Sequence, residues 1–156
     1  MRTTASVFLA TILLGFIMLG ADEVMAQSYM GNFCWSVTVT EYESGPITPV
    51  TFLSRFDVTH VGGASYALQG PAFPPEENPS ILVGAAVVIG SDIYMTLTCT
   101  GTHPSKAWRN TGVLHGRINA SSLNGTFYEL YNSFNPSTRL FTPGYSAGTL
   151  TFVPCP

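Results

Sequence analysis

Apolar and polar residues alternate in short runs from residue 33 to the end of the chain. The first run, FCWSVTVT at 33–40, places large apolar side chains at every second position with small polar ones between them. This period of two is typical of a strand with one buried face, because successive side chains of a strand point to opposite sides. Similar runs follow at 51–60, 65–68, 81–89, 92–100, 111–118, 123–131 and 148–153. The pattern therefore predicts eight strands and no helix.

The connections between these strands alternate in length. Those after strands two, four and six are VGGA, GS and NASS, which have the composition of hairpin turns. Those after strands one, three, five and seven are long and rich in proline and glycine. In an antiparallel meander, alternate connections lie at the same end. The short turns should therefore share the end where strand one begins and strand eight ends, the terminal end, and the long connections the opposite end, the loop end.

A meander of eight strands closes into a small barrel without leaving an exposed edge. We predict an all-β fold with a single eight-stranded antiparallel up-and-down β-barrel. A two-sheet β-sandwich allows the same strand count and stays the alternative. No internal repeat or linker divides the chain, so one domain is expected.

Residues 1–26 are predicted to be a secretory signal peptide. The chain starts with Met1 and Arg2, residues 7–20 are apolar, and 24–26 match a small-x-small cleavage site. The apolar run is too short for a membrane span. Cleavage would leave residues 27–156 as one barrel domain, secreted or periplasmic, with no membrane span.

Three cysteines follow the predicted signal peptide, and disulfides persist in such a compartment. Closing the barrel brings Cys34, at the start of strand one, close to Cys155, just beyond strand eight. Alternation places both on the outer face, so we predict a Cys34–Cys155 disulfide. Cys99 alternates with Met95 and Leu97 and is expected inside the barrel, as a small buried side chain rather than a catalytic thiol.

The charge of the chain argues against a nucleic-acid partner. Loss of Arg2, Asp22 and Glu23 with the signal peptide reduces the six basic and nine acidic residues to five and seven. Nucleic-acid binding needs a basic patch, and the sequence contains none.

No catalytic residue, metal site or cofactor is predicted. GYSAG at 144–148 matches the G-x-S-x-G of a nucleophile elbow, but a loop precedes Ser146, a strand follows it, and no histidine or acid lies after it. The histidines at 60, 103 and 115 lack the paired spacing of a zinc site. Asp57 and Glu129 are interpreted as residues on the outer surface of strands.

The expected architecture resembles that of the lipocalins and avidins, eight-stranded meander barrels with a Gly-x-Trp near the start of the first strand. Here GNFCW at 31–35 places Trp35 similarly, but two residues further from the glycine. The resemblance implies an internal cavity, and no family residue is carried over.

The predicted function is a barrel that binds a small, largely apolar or amphipathic ligand. The alternatives are a structural or interaction domain with a solid core, and an isomerase or cyclase, for which Ser54, His60 and Cys99 are the inward polar candidates. The residues predicted to line the interior are Trp35, Val37, Phe56, Val58, Met95, Leu97, Cys99, Leu150 and Phe152.

The loop end is the predicted mouth, because its connections combine aromatic and cationic side chains. Those predicted to bind ligand are His103, Trp108, Arg109, Arg139 and Phe141. They suit an amphipathic ligand whose acidic or polar head stays at the rim.

Strand 81–89, ILVGAAVVI, is apolar on both faces. A strand buried on both sides has this composition, although a barrel strand has one inner face. We therefore predict that its outer face meets another copy of the chain or a loop folded back over it.

Overall fold

The structure is a computed structural model that describes residues 26–43, 45–71, 81–103 and 108–156. For residues 101–103 and 108–110 the structure describes the backbone alone. The predicted signal peptide falls on residues outside the described ranges, apart from Ala26. In the described part of the chain there is no helix long and apolar enough to cross a membrane.

Eight antiparallel strands form one closed barrel in the order of the chain. They are β1 (Ser28–Tyr42), β2 (Gly45–Gly62), β3 (Ser65–Pro71), β4 (Ile81–Ile89), β5 (Asp92–His103), β6 (Trp108–Asn119), β7 (Gly125–Asn135) and β8 (Leu140–Val153). Each strand pairs with its neighbours in sequence, and β8 returns to pair with β1. This confirms the predicted up-and-down barrel over the β-sandwich.

Three of the four connections at the loop end are short, so the prediction of long loops there is wrong for them. β1 and β2 stay paired up to residues 42 and 45, β5 and β6 up to 103 and 108, and β7 and β8 up to 135 and 140. These extensions carry proline, glycine and polar residues, which suggested loops. Ladder hydrogen bonds join backbone groups, however, and need no apolar alternation. The long β3–β4 connection, 72–80, lies outside the described residues.

The terminal end consists of tight turns, as predicted. Gly63 in the β2–β3 turn has a φ of 55° and Gly90 in the β4–β5 turn has a φ of 62°. Glycine adopts this left-handed region without the steric cost of a Cβ atom. The turns therefore reverse the chain within a few residues and keep this end compact.

A disulfide between Cys34 and Cys155 fastens the closure of the barrel, with 5.2 Å between the two Cα atoms. Cys34 is paired with Val153 in the β1–β8 ladder, so Cys155 lies two residues beyond the paired segment. This confirms the predicted bond. Such a bond is compatible with an extracellular or periplasmic location.

The inward-facing side chains form one hydrophobic core. Its buried members are Trp35, Val37, Phe56, Val58, Leu68, Leu82, Ala86, Met95, Leu97, Cys99, Leu114, Ile118, Phe127 and Leu150. Cys99 is thus buried, as expected. Of the residues predicted to line the interior, only Phe152 lies outside this cluster: it is 39% exposed, although its ring packs on Trp35 with 5.9 Å between centroids.

Candidate functional site

An apolar cavity of about 250 Å³ lies inside the barrel at the terminal end. Its buried walls include Trp35, Val58, Met95 and Ile118. The less buried lining residues come from the rim, where Met30 of β1 is exposed. The cavity therefore extends from the packed core towards solvent at this end.

The indole of Trp35 is fixed beside the cavity. Its N–H donates a hydrogen bond of 2.8 Å to the carbonyl oxygen of Leu123, which links β1 to the β6–β7 turn. Its ring meets Phe56 edge-on, with 5.9 Å between centroids. Because the polar atom of the indole is satisfied, the rest of the ring can serve as apolar wall.

The β6–β7 turn holds Leu123 in an unusual conformation over the same cavity. The φ of Leu123 is 57°, a left-handed value that is rare for a bulky residue. The side-chain oxygen of Asn119 accepts hydrogen bonds of 3.0 Å from the N–H groups of Ser121 and Ser122, which stabilises the turn. Leu123 contributes its carbonyl oxygen to Trp35 and its side chain to the cavity lining.

A carboxyl group lies inside the barrel towards the loop end. Glu129 of β7 alternates with buried Phe127, which places it on the inner face. Its Oε2 accepts a hydrogen bond of 3.3 Å from Ser146 Oγ. Burial raises the pKa of Glu129 above its ordinary value, while the Ser146 hydrogen bond opposes this. The interpretation of Glu129 as an outer-surface residue is therefore wrong.

The error came from the composition of β7, which carries large apolar residues on both faces. Tyr128 and Leu130 are exposed on the outside, and Phe127 is buried inside. Alternation alone does not identify the inner face of such a strand, and a charged residue on it is then expected to face solvent. For Asp57 the same interpretation is confirmed: it is exposed and accepts a hydrogen bond of 3.0 Å from the Tyr29 hydroxyl group.

Two glycines leave the space that Glu129 and its neighbour Tyr131 occupy. A Cβ atom at Gly112 would lie 2.9 Å from Glu129 Oε1. At Gly144 it would lie 2.5 Å from the ring of Tyr131. A larger residue at either position would displace these side chains.

Tyr131 extends this polar region to the rim of the loop end. Its hydroxyl group donates a hydrogen bond of 2.8 Å to Glu43 Oε1. Its ring stacks with that of Tyr42, at a centroid distance of 6.0 Å. Burial is the main cause that raises the pKa of Tyr131 above its ordinary value, and hydrogen bonding with Tyr42 and Glu43 adds to it, so the phenol stays protonated.

Ser146 is not part of a nucleophile elbow. It lies within β8 and is buried, whereas an elbow needs a sharp turn that exposes the serine oxygen. This confirms the dismissal of the motif. Sequence reasoning missed the hydrogen bond to Glu129, and only the β7–β8 register, in which Ser146 faces Glu129, could have indicated it.

The structure separates the predicted ligand-binding residues. Trp35 and Met95 line the cavity, and the adjoining core contains Phe56, Leu97 and Cys99. At the loop end, Arg139 and Phe141 are exposed around the β7–β8 turn. For His103, Trp108 and Arg109 the side chains lie outside the described part. A ligand-binding mouth at the loop end therefore stays a prediction.

The outer face carries two further features. A groove of about 360 Å³ crosses β5–β7, but its cation, Arg117, already forms a 2.7 Å ion pair with Asp92. On β4, Ile81, Val83 and Ile89 are exposed on the single chain. Self-association through residues 81–89 stays a prediction.

In the ranges that the structure describes, no group of three or more histidine, cysteine, aspartate or glutamate side chains could hold a metal ion. Comparison with protein-family models, curated proteins and solved structures finds no match to this chain. The geometry of the barrel is therefore the basis for assigning a function.

Proposed function

We propose that this protein is a secreted or periplasmic barrel that binds a small, largely apolar ligand in the cavity at the terminal end. The observation that carries the proposal is the apolar cavity of about 250 Å³ beside Trp35. Ligand sites commonly measure about 300–1,000 Å³. The volume therefore favours a compact ligand, smaller than most drug-sized molecules.

The chemistry of the walls favours an apolar occupant over water. A buried water molecule needs roughly two to four polar partners. Among the lining side chains, Trp35 already uses its N–H on Leu123, and the hydroxyl group of Tyr66 is the remaining polar group. At the rim, Met30 provides a flexible side chain that can adapt to a ligand.

The alternative functions have less support. A structural domain with a solid core has no need of the cavity. An isomerase or cyclase would need a polar group beside its apolar substrate. Glu129 has suitable chemistry, but it is not among the residues that line the cavity, and its ladder partner Leu114 belongs to the buried core.

Trp35 provides a direct test. The chain has two tryptophans, so a Trp108→Phe variant leaves Trp35 as the only indole. This variant is titrated with a panel of short-chain alcohols, monoterpenes and small aromatic hydrocarbons while tryptophan emission is followed. A saturable change is expected for at least one compound. Mass spectrometry of an organic extract of the protein from its native host should then identify the natural ligand.

Two neighbouring alanines of β4 give matched variants. Ala86 is buried and lines the cavity, while Ala85 is exposed on the outer face. Ala86→Phe should fill the cavity and abolish binding, and Ala85→Phe should leave it unchanged. A flat titration with every compound, or equal affinity in the two variants, would overturn the proposal.

A further inference from the structure

Glu129 carries a desolvated carboxyl group inside the barrel, and its described contacts include no cation. Its hydrogen bond comes from a neutral hydroxyl group, that of Ser146. The ion pair found among the described residues, between Arg117 and Asp92, lies on the outer face of the barrel. Burial of a carboxylate is costly unless a positive charge accompanies it. Among the described residues, none supplies this positive charge to Glu129.

The surroundings of Glu129 are built to hold this side chain. Ser146, which donates to it, is 6% exposed, and Gly112 leaves the space that Oε1 occupies. An apolar side chain would fill the same inward position at a lower cost of desolvation. Packing therefore does not account for the carboxyl group.

Aromatic rings adjoin this carboxyl group on the side of the loop end. Tyr131 is the next inward residue of β7, and it stacks with Tyr42. The exposed Glu43 carboxylate accepts the hydrogen bond of Tyr131, so the rim adds a second negative group. Cations are attracted to the faces of aromatic rings, and organic ammonium groups are often recognised by rings and carboxylates together.

We propose that the loop-end interior binds the ammonium group of a small organic cation, with Glu129 as counter-charge and the rings of Tyr42 and Tyr131 as its aromatic walls. A metal ion is the less suitable occupant, since the described residues offer no set of three ligating side chains. Tyr42 is exposed, so a ligand can approach from the loop end. This site is separate from the apolar cavity and does not depend on the function proposed for it.

The test uses choline as probe and, as control, its uncharged isostere with carbon in place of the ammonium nitrogen. Isothermal titration calorimetry on the full chain should detect choline binding and none of the isostere. Glu129→Gln should weaken choline binding about tenfold or more, because it keeps the shape and removes the charge. Glu41→Gln, at an exposed carboxylate of the same end, should change it less than about twofold.

Two further variants separate loss of the binding site from unfolding of the barrel and from effects of the apolar cavity. Tyr131→Leu, which removes an aromatic wall, should weaken choline binding, and circular dichroism reports whether each variant is folded. Ala86→Phe, which fills the apolar cavity, should leave choline binding unchanged. Equal binding of choline and its isostere, unchanged affinity in Glu129→Gln, or displacement of choline by equimolar Ca²⁺ would overturn the proposal. None of these outcomes bears on the apolar cavity.

Discussion

The two ends of the barrel interior are built on the same alternation of side chains but differ in chemistry. At the terminal end, the inward positions carry aromatic and aliphatic residues, and the polar atom of Trp35 is satisfied by a turn carbonyl group. At the loop end, the inward positions of β7 carry Glu129 and Tyr131. The comparison shows that one closed sheet can support an apolar region and an acidic region in a single interior.

The two regions also differ in what they contribute to stability. The terminal end gains from apolar burial and from the Cys34–Cys155 disulfide. At the loop end, the desolvated Glu129 opposes folding whenever it is charged. Leu114 is paired with Glu129 in the β6–β7 ladder, and it belongs with Leu97 to the buried core next to this carboxyl group.

The largest expected effect comes from the terminal end. Replacing both Cys34 and Cys155 by serine should lower the free energy of unfolding by about 2–5 kcal/mol, because the disulfide closes a loop spanning 121 residues. Urea denaturation measures this loss, and the wild type under reducing conditions should show the same shift. An unchanged midpoint would contradict the structural role of the bond.

Amide hydrogen exchange locates the part of the barrel that is destabilised when the disulfide is removed. Amides of the β1–β8 ladder next to Cys34 should exchange faster in the double variant, whereas those of β7 near Glu129 should change little. Equal acceleration at both ends would mean that the barrel opens as one unit and that the two regions are not independent.

The next effect concerns Leu114, the buried core residue that is paired with Glu129 in the β6–β7 ladder. Leu114→Ala should cost about 2–5 kcal/mol of stability, since it leaves a void in a packed core. Leu130→Ala is the matched control, because Leu130 is 57% exposed on the neighbouring strand, and it should cost less than about 0.5 kcal/mol. Thermal denaturation compares the two.

Leu114→Ala should also couple the two sites. In the otherwise wild-type chain, Glu129→Gln should not affect binding of an apolar ligand at the terminal end. Once Leu114 is truncated, the same substitution should alter that binding, because the void brings the carboxyl group nearer to the cavity. Absence of any coupling in the double variant would show that truncation of Leu114 does not connect the carboxyl group with the cavity.

The fold could be predicted from the sequence because its determinants are local and repetitive. Runs in which every second residue is apolar mark the strands, and short turns set their order. The same alternation places Cys34 and Cys155 on the outer face where β1 meets β8. The ends of the strands could not be predicted, since backbone pairing continues beyond the apolar alternation in β1, β2 and β8.

The interior regions were harder to predict because they depend on side-chain volume and on the inner face of β7. Basic residues near the loop end suggest a site for an acidic head group, whereas β7 places a carboxyl group, that of Glu129, on the inner face there. No local pattern shows that the side chains around Trp35 leave a void. Such a void depends on how side chains from β1–β6 meet in space.

The smallest expected effect is the pH dependence that Glu129 gives to the loop end. Burial raises the pKa of Glu129 in the folded protein above its value of 4.5 in the unfolded chain, so the folded state holds the proton more tightly. The stability associated with this group is therefore complete at pH values below 4.5 and declines as the pH rises through the folded pKa.

Glu129→Gln removes this decline. It should match the wild type in acid and exceed it at neutral pH, whereas Glu41→Gln should follow the wild type throughout. Thermal midpoints measured from acid to neutral pH give this comparison. Lower stability of Glu129→Gln at neutral pH would mean that a positive group already pairs with the carboxylate, and the loop end would then be as well compensated as the terminal end.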